Sequence, residues 1–424
     1  MSSLSSVNLT KLSNGLTIVT DCIETVETIS LGVWVNVGTR RETKDINGVS
    51  HLLEHMAFKG TKRRSARAIA EEIEAVGGHL NACTSREYTA YYAKILKEDI
   101  DLSLDIISDI LQNSTIDAVE LAREQEVVVQ EINQAIDTPD DIIFDHFQST
   151  AYSDQAIGLP VLGTVELVRC MSRNTLFDYM KNNYNTKSMI LAVAGNLNHD
   201  LVVTLAEKYF TALPQNNFST NAIAAYKGGE YRETRDLEQV HLVLGFNCMS
   251  YDDPDYYSAS ILSTLLGDGM SSRLFQEVRE KRGLVYSIYS FISFYTDGGL
   301  FVIYAGTGKK EVIEVIPVIC NEIIKVTQEI TIDEVQRARA QLKASILMAR
   351  ESTGVRCEQL ARQFQVYGRL IPVEEIVSKI EAIDVNAVVS VARRIFVGNP
   401  TFATIGQLDN VESIDSIKHR LEMI

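Results

Sequence analysis

A duplicated α+β fold, two homologous α/β roll domains each with a mainly antiparallel sheet packed with helices, follows from three observations. The chain has 424 residues, more than one hydrophobic core ordinarily holds, so two domains of about 200 residues are expected. The order of strand and helix patterns in the first half recurs in the second. One strand-to-helix turn is also written twice, as Ala192-Val-Ala-Gly-Asn-Leu197 and as Ala403-Thr-Ile-Gly-Gln-Leu408.

Val7 to Asp21 alternates as a hairpin around Ser13-Asn14-Gly15, because Asn-Gly supplies the left-handed backbone that a tight hairpin turn needs. A strand from Thr28 to Val37 follows. Apolar residues then recur at helical spacing over 48–59 and 64–76, strand patterns occupy 79–85 and 88–95, and helical spacing returns over 97–112 and 116–136. The half closes with the apolar strand Met189 to Ala194 and a helix from Asp200 to Phe210.

In the second half a strand at Val240 to Asn247 leads to helical patterns over 254–266 and 271–281 and strands over 285–292 and 299–305. Long helices over 309–327 and 331–350 follow, and the half again ends on a strand, Thr401 to Gly406, and a short helix. The polar stretch Pro214 to Glu230, with Gly228-Gly229 near its end, reads as a linker. The expected domains are therefore 1–213, a linker over 214–230, and 231–424.

A composition of 46% hydrophobic and 23% charged residues is that of a globular protein without long disordered stretches. The net charge of −16 repels phosphates, so it argues against nucleic acid and favours Arg- or Lys-rich peptides as partners. Cys22, Cys83, Cys170, Cys248, Cys320 and Cys357 contain no Cys-x-x-Cys pair, which argues against a cysteine zinc site or disulfide framework and fits a reducing compartment. Residues 1–8 lack a basic segment followed by an apolar run, and no window reaches the length of a membrane span. A cytoplasmic bacterial protein with no membrane partner is expected, with a mature chain of the mitochondrial matrix as the alternative.

The chemistry is concentrated in Ser50-His-Leu-Leu-Glu-His-Met-Ala-Phe58. In a helix, His51 and His55 lie one turn apart on one face, where both imidazoles can reach one ion. Glu54 then sits beside water at that ion without having to be a ligand, which suits a general base. The spelling H-x-x-E-H reverses the thermolysin-type H-E-x-x-H and matches the inverted zincin signature. At the equivalent place in the second half, Tyr256-Tyr-Ser-Ala-Ser-Ile-Leu-Ser-Thr-Leu-Leu266 holds no metal ligand, which confines chemistry to the first half.

Two imidazoles are too few for catalytic zinc, which usually takes three protein donors and keeps one position for water. Glu131 is the best third donor. It follows Glu124 by seven residues in a helical segment, so both project from one face. On spacing alone, a solvated helix face is the simpler account of the two glutamates.

Nearly the whole chain resembles the pitrilysin family of zinc peptidases, in its processing-peptidase branch. In that family the third ligand follows the second histidine by 76 positions, as Glu131 follows His55 here. The resemblance implies one zinc ion per chain held by His51, His55 and Glu131, with Glu54 as base and Glu124 as supporting carboxylate. It further implies that substrate adds as an extended strand to the segment around Gly77–Glu87, with Asn81 and Ala82 beside the scissile bond. An ordinary internal strand would account for the same residues.

Arg279 and Tyr286 have the spacing of the arginine and tyrosine that pitrilysin-like enzymes bring over the substrate, where both could donate to a developing oxyanion. Without the resemblance they read as a surface helix charge and a strand aromatic. Single-chain relatives hold four such units, so a two-unit chain is expected to pair as a homodimer whose partner supplies Arg279 and Tyr286. The resemblance also allows a heterodimer with an inactive partner. Asp141 and Asp145, one helical turn apart, fall where the processing peptidases bind an arginine near the cut, and Phe58 falls where an aromatic receives the residue after it. An acid-rich helix start after Pro139 accounts for the two aspartates equally well.

The expected activity is zinc-dependent endopeptidase action on extended or unfolded peptides, with arginine near the cleaved bond, inside a dimeric chamber. A noncatalytic assembly or peptide-binding subunit of the same fold is the alternative.

Overall fold

The computed structural model describes residues 6–215 and 222–424. The amino-terminal stretch and the middle of the expected linker lie partly outside them. Two compact units, each built on one sheet, make up the described chain.

The first sheet runs in the order β1 (Val7–Lys11), β2 (Thr17–Cys22), β6 (Met189–Gly195), β3 (Thr28–Val35), β5 (Thr89–Leu96), β4 (His79–Thr84). Its neighbours are antiparallel except β2 and β6. The second sheet runs β7 (Gly229–Thr234), β11 (Thr401–Gly406), β8 (Gln239–Cys248), β10 (Gly299–Gly308), β9 (Val285–Phe294), parallel only between β7 and β11. Strands β2, β6, β3, β5 and β4 thus recur as β7, β11, β8, β10 and β9, so the fold is duplicated and mainly antiparallel as expected. Gly195 and Gly406 end equivalent strands at φ 139° and 137°. A Cβ on either would stand 2.2 Å from the Thr28 carbonyl oxygen or 2.7 Å from that of Gln239, which is why the twice-written turn keeps glycine.

The first half of the chain carries helices α1 (Val49–Ala57), α2 (Ala66–Ala75), α3 (Ile100–Asn113), α4 (Ala118–Ile136), α5 (Pro139–Ala151), α6 (Val165–Cys170), α7 (Arg173–Asn183) and α8 (His199–Tyr209). The second carries α9 (Tyr256–Gly267), α10 (Val312–Gln328), α11 (Ile332–Ala349), α12 (Thr353–Tyr367), α13 (Val373–Glu381), α14 (Val385–Phe396) and α15 (Ile414–Leu421). Among the described residues no helix is long and apolar enough to cross a membrane.

The periodicity above does not predict α6, α7, α12, α13, α14 or β7. Helix α7 buries only Leu176 and Tyr179, too few for a periodic signal. In α14 the β-branched Val385, Val388, Val389 and Val391 blur helix with strand. β7 alternates half-buried and exposed positions without an apolar run and begins at Gly229, inside the stretch expected to be linker up to Glu230.

The compact units differ from the contiguous sequence halves. The first comprises described residues up to Gln134, from Leu159 to Ala222 and from Met348 to Pro372; the second takes Ala135–Gly158, Ile223–Leu347 and Val373–Ile424. One helix has changed hands in each direction. Helix α5, from the first half, buries Ile143, Phe147 and Ala151 against Val243, Val302 and Ala403 of the second sheet. Helix α12, from the second half, buries Cys357, Leu360 and Ala361 against Val19, Ala192 and Ala194 of the first. Because the opposite face of each sheet carries the larger core, strands such as Met189–Gly195 are buried along their whole length.

Helix α1 has an unusual start. Gly48 precedes it at φ 94°, and the buried Glu42 carboxylate accepts from the Gly48 and Ser50 backbone N–H groups and the Asn47 side-chain amide, all at 2.8 Å. A distant carboxylate therefore satisfies N–H groups that the helix leaves unpaired. Burial raises the Glu42 carboxyl above its ordinary pKa, and these hydrogen bonds oppose the rise.

Replacing Glu42 by Ala should strand the Gly48 and Ser50 donors and cost about 2–4 kcal/mol in chemical denaturation. Gly245→Ala tests the placement of α5, because a Cβ there would stand 2.4 Å from the Phe147 ring and 2.7 Å from the Phe301 carbonyl oxygen. Overpacking of about 1–3 kcal/mol is expected; a neutral substitution would mean that Phe147 does not lie over β8.

Candidate metal centre

Helices α1 and α4 bury their apolar sides in one core, where Leu52, Leu53 and Met56 join Val128, Val129 and Ile132. That packing leaves polar side chains of both helices at its margin. His51 and His55 stand with ring centroids 4.7 Å apart, and Glu131 Oε2 lies 3.6 Å from His51 Nε2 and 3.5 Å from His55 Nε2.

These separations are too long for hydrogen bonds. They suit a shared ion, since donors about 2.1 Å from one tetrahedral zinc lie about 3.4 Å from each other. Among the described residues, His51, His55 and Glu131 are the group of acidic, thiol and imidazole side chains able to converge on a metal. Burial, aided by the neighbouring His55, lowers the His51 pKa to about 4, so at neutral pH its ring is uncharged and has a lone pair to offer.

Glu124 Oε2 lies 3.1 Å from His55 Nδ1. A proton held on Nδ1 by that carboxylate leaves Nε2 as the acceptor facing Glu131. The other oxygen of Glu124 pairs with Lys59 Nζ at 2.7 Å. Lys59 and Glu42 escaped the sequence reading, and no periodic signal ties either residue to its partner.

Glu54 completes the cluster. Burial raises its carboxyl pKa, offset in part by Thr84 and His55. Its Oε2 is buried without a hydrogen-bond partner, as is Nδ1 of His51. An unpartnered buried oxygen is costly unless a ligand or water completes it, so the Glu54 oxygen fits a centre that also binds a metal and its water. His51 Nδ1 does not bear on this, because its ring turns Nε2 to Glu131.

Asn81 and Ala82 lie on β4, the end strand of the first sheet. Ala82 faces the core shared with α1, whereas Asn81 points to the opposite face and its Oδ1 accepts from the Ala82 backbone N–H at 2.8 Å. Phe58, at the end of α1, is half-buried against the same core. Asp141 and Asp145 sit on α5 in the second unit; burial first, then Asp145 and Asp140, raises the Asp141 carboxyl. Arg279 and Tyr286 also belong to the second unit. The Arg279 guanidinium stacks 4.9 Å from the Phe275 ring centroid on a π-helical turn, Phe275–Glu280, and Tyr286 is 69% exposed at the start of β9. The first unit alone brings together His51, His55, Glu131, Glu54 and Glu124.

Comparison with known proteins puts these five residues within a single family match. Residues 17–165 match the family described as insulinase (peptidase family M16), and residues 171–342 match the peptidase M16 inactive domain. An uncharacterized zinc protease of Rickettsia felis is 40% identical, covering 95% of this chain and 98% of its own. A probable mitochondrial-processing peptidase beta subunit of Arabidopsis thaliana is 34% identical over 97% of this chain and 80% of its own length. A protease from Helicobacter pylori has the same fold, with a TM-score of 0.87 at 24% identity over 94% of this chain and 99% of that one. With the motif, the duplicated fold and these relatives in agreement, the chain belongs to the M16, or pitrilysin, family of zinc metallopeptidases.

Proposed function

We propose that the chain is a zinc-dependent endopeptidase that hydrolyses extended or unfolded peptides. The convergence of His51, His55 and Glu131 beside a buried, unpartnered Glu54 oxygen carries the reading. Zinc, one ion per chain, would be held by those three side chains and would supply polarisation of the scissile carbonyl and acidification of water. Glu54 takes the proton that water gives up as its oxygen attacks the carbonyl carbon. The same carboxyl returns the proton to the amine as the C–N bond breaks. Glu124 keeps His55 in the tautomer that binds, and Lys59 holds Glu124.

The peptide adds to the free edge of β4, where backbone hydrogen bonding accepts many sequences. Asn81 and Ala82 border the cleaved bond and Phe58 contacts the residue after it. Arg279 and Tyr286, supplied by the partner in a homodimer, donate to the oxyanion; an inactive partner in a heterodimer is the competing assembly. The pair on α5, Asp141 and Asp145, favours arginine near the cut, since one guanidinium can bridge two carboxylates one helical turn apart. All six cysteines are free, and we place the protein in the reducing cytoplasm.

Glu54→Gln should keep one zinc per chain by elemental analysis and lose peptide hydrolysis by about a thousandfold or more. Equal turnover by parent and variant would remove Glu54 as base. Failure of the parent to cut any peptide would favour a noncatalytic peptide-binding subunit. Asp141→Asn combined with Asp145→Asn should flatten any arginine preference in cleavage-site profiling of a mixed peptide library; an unchanged profile would place the arginine site elsewhere.

A further inference from the structure

A cavity of about 340 Å³ opens on the first sheet, on the face opposite the metal centre. Trp34, Ala90, Tyr92 and Cys83 line it from β3, β5 and β4, and Gly354 and Glu358 line it from the first turns of α12. The chain contains a second copy of this place. In the first sheet Ala192, Gly32, Tyr92 and Asn81 form one cross-strand row; in the second, Ala403, Val243, Tyr304 and Tyr289 form the equivalent row. One row further, Trp34, Ala90 and Cys83 correspond to Gly245, Val302 and Phe291. The helices correspond as well. Glu358 lies six residues after the N-cap of α12, as Phe144 does in α5.

The second copy is full. The Phe144 ring centroid stands 5.8 Å from that of Phe291 and 5.6 Å from that of Tyr304, and Tyr289 stacks on Tyr304 at 5.0 Å. In the first copy those places fall to Glu358, Cys83, Tyr92 and Asn81. Where the second copy has two of its aromatic rings, the first has a short thiol side chain and a carboxylate, and where it has a third, an amide. The same scaffold thus shows what fills this space when nothing else is to enter it.

We infer that this cavity is a substrate subsite that receives a bulky apolar side chain of the bound peptide, and this rests on the peptidase reading above. A strand added beyond β4 sends alternate side chains to opposite faces of the sheet. Those on the Ala82 face meet the metal centre, and those on the Cys83 face meet the cavity. Trp34, Ala90 and Tyr92 make its lining largely apolar and aromatic, and the two charged residues that also line it, Glu358 and Lys94, are of opposite sign. Selection therefore falls on size and apolarity.

The test uses the full-length, zinc-loaded protein and peptide series that place Phe, Leu, Ala, Lys or Glu at one position at a time around a fixed cleavage site. At a position on the cavity face, kcat/KM for Phe or Leu should exceed that for Ala by about tenfold or more. Glu358→Phe and Cys83→Phe, which give the first copy the residues of the second, should bring that ratio close to one. Zinc content and thermal midpoint check each variant, and Cys83→Val, which adds less bulk, serves if either falls. A parent ratio near one at every position, a preference for Lys or Glu, or variants that retain the parent ratio would each overturn the subsite. Should the parent cleave no peptide, the peptidase reading fails first and the subsite with it.

Discussion

Everything in the first unit depends on two helices, far apart in sequence, burying their apolar sides in a single core. Leu52, Leu53 and Met56 of α1 and Val128, Val129 and Ile132 of α4 belong to one close-packed core, which constrains how the two helices are placed. Their polar edges then meet at the core margin. His51 and His55 gain Glu131 as a neighbour without any bond between them, and Glu124 reaches the far nitrogen of His55. Glu42, at the other end of α1, serves the same geometry by fixing where that helix begins. Small displacement at either end would move both imidazoles together, because they share one rigid turn.

How much of this the sequence reveals depends on how far apart the interacting residues lie along the chain. His51, Glu54 and His55 are legible because a helix turns a spacing of four into adjacency. Glu131 is not legible in that way. Helical periodicity places it on a face with Glu124, but what the face opposes is decided by how α1 and α4 share one core, and only the family spacing identified the partner. Lys59 and Glu42 left no trace, since an ion pair with Glu124 and a cap on α1 need no pattern. The duplication was readable from Gly195 and Gly406, where a backbone constraint forces one residue type. Exchange of α5 and α12 between units was not, because an amphipathic face shows that a helix must be covered and not by which sheet.

Duplication followed by divergence accounts for the asymmetry of the two units. In the segment corresponding to α1, helix α9 buries nine of its twelve residues, Ser258, Ala259 and Ile261 to Gly267, with no imidazole or carboxylate among them. A helix relieved of ligands can be covered almost all round. The other face of the second sheet shows the same tendency, with Phe144, Phe291, Tyr289 and Tyr304 closing the space that stays open in the first. One copy has a filled core, and the other has polar atoms unsatisfied and a face unfilled.

That contrast bears on how a peptide is held at β4. Main-chain pairing along a strand edge is indifferent to sequence, so by itself it lets a peptide slide by one residue and exchange its two faces. A slide of one would withdraw a bulky side chain from the cavity and turn it toward Ala82, which is buried against α1. The loss of apolar burial penalises that register, and a slide of two restores the faces but moves a different bond to His51 and His55. On the proposed reading, a cavity on one face and a metal on the other would act together as a ruler. Edge pairing would then supply breadth of substrate, and the unfilled face of the first sheet would decide which peptide bond meets Glu54.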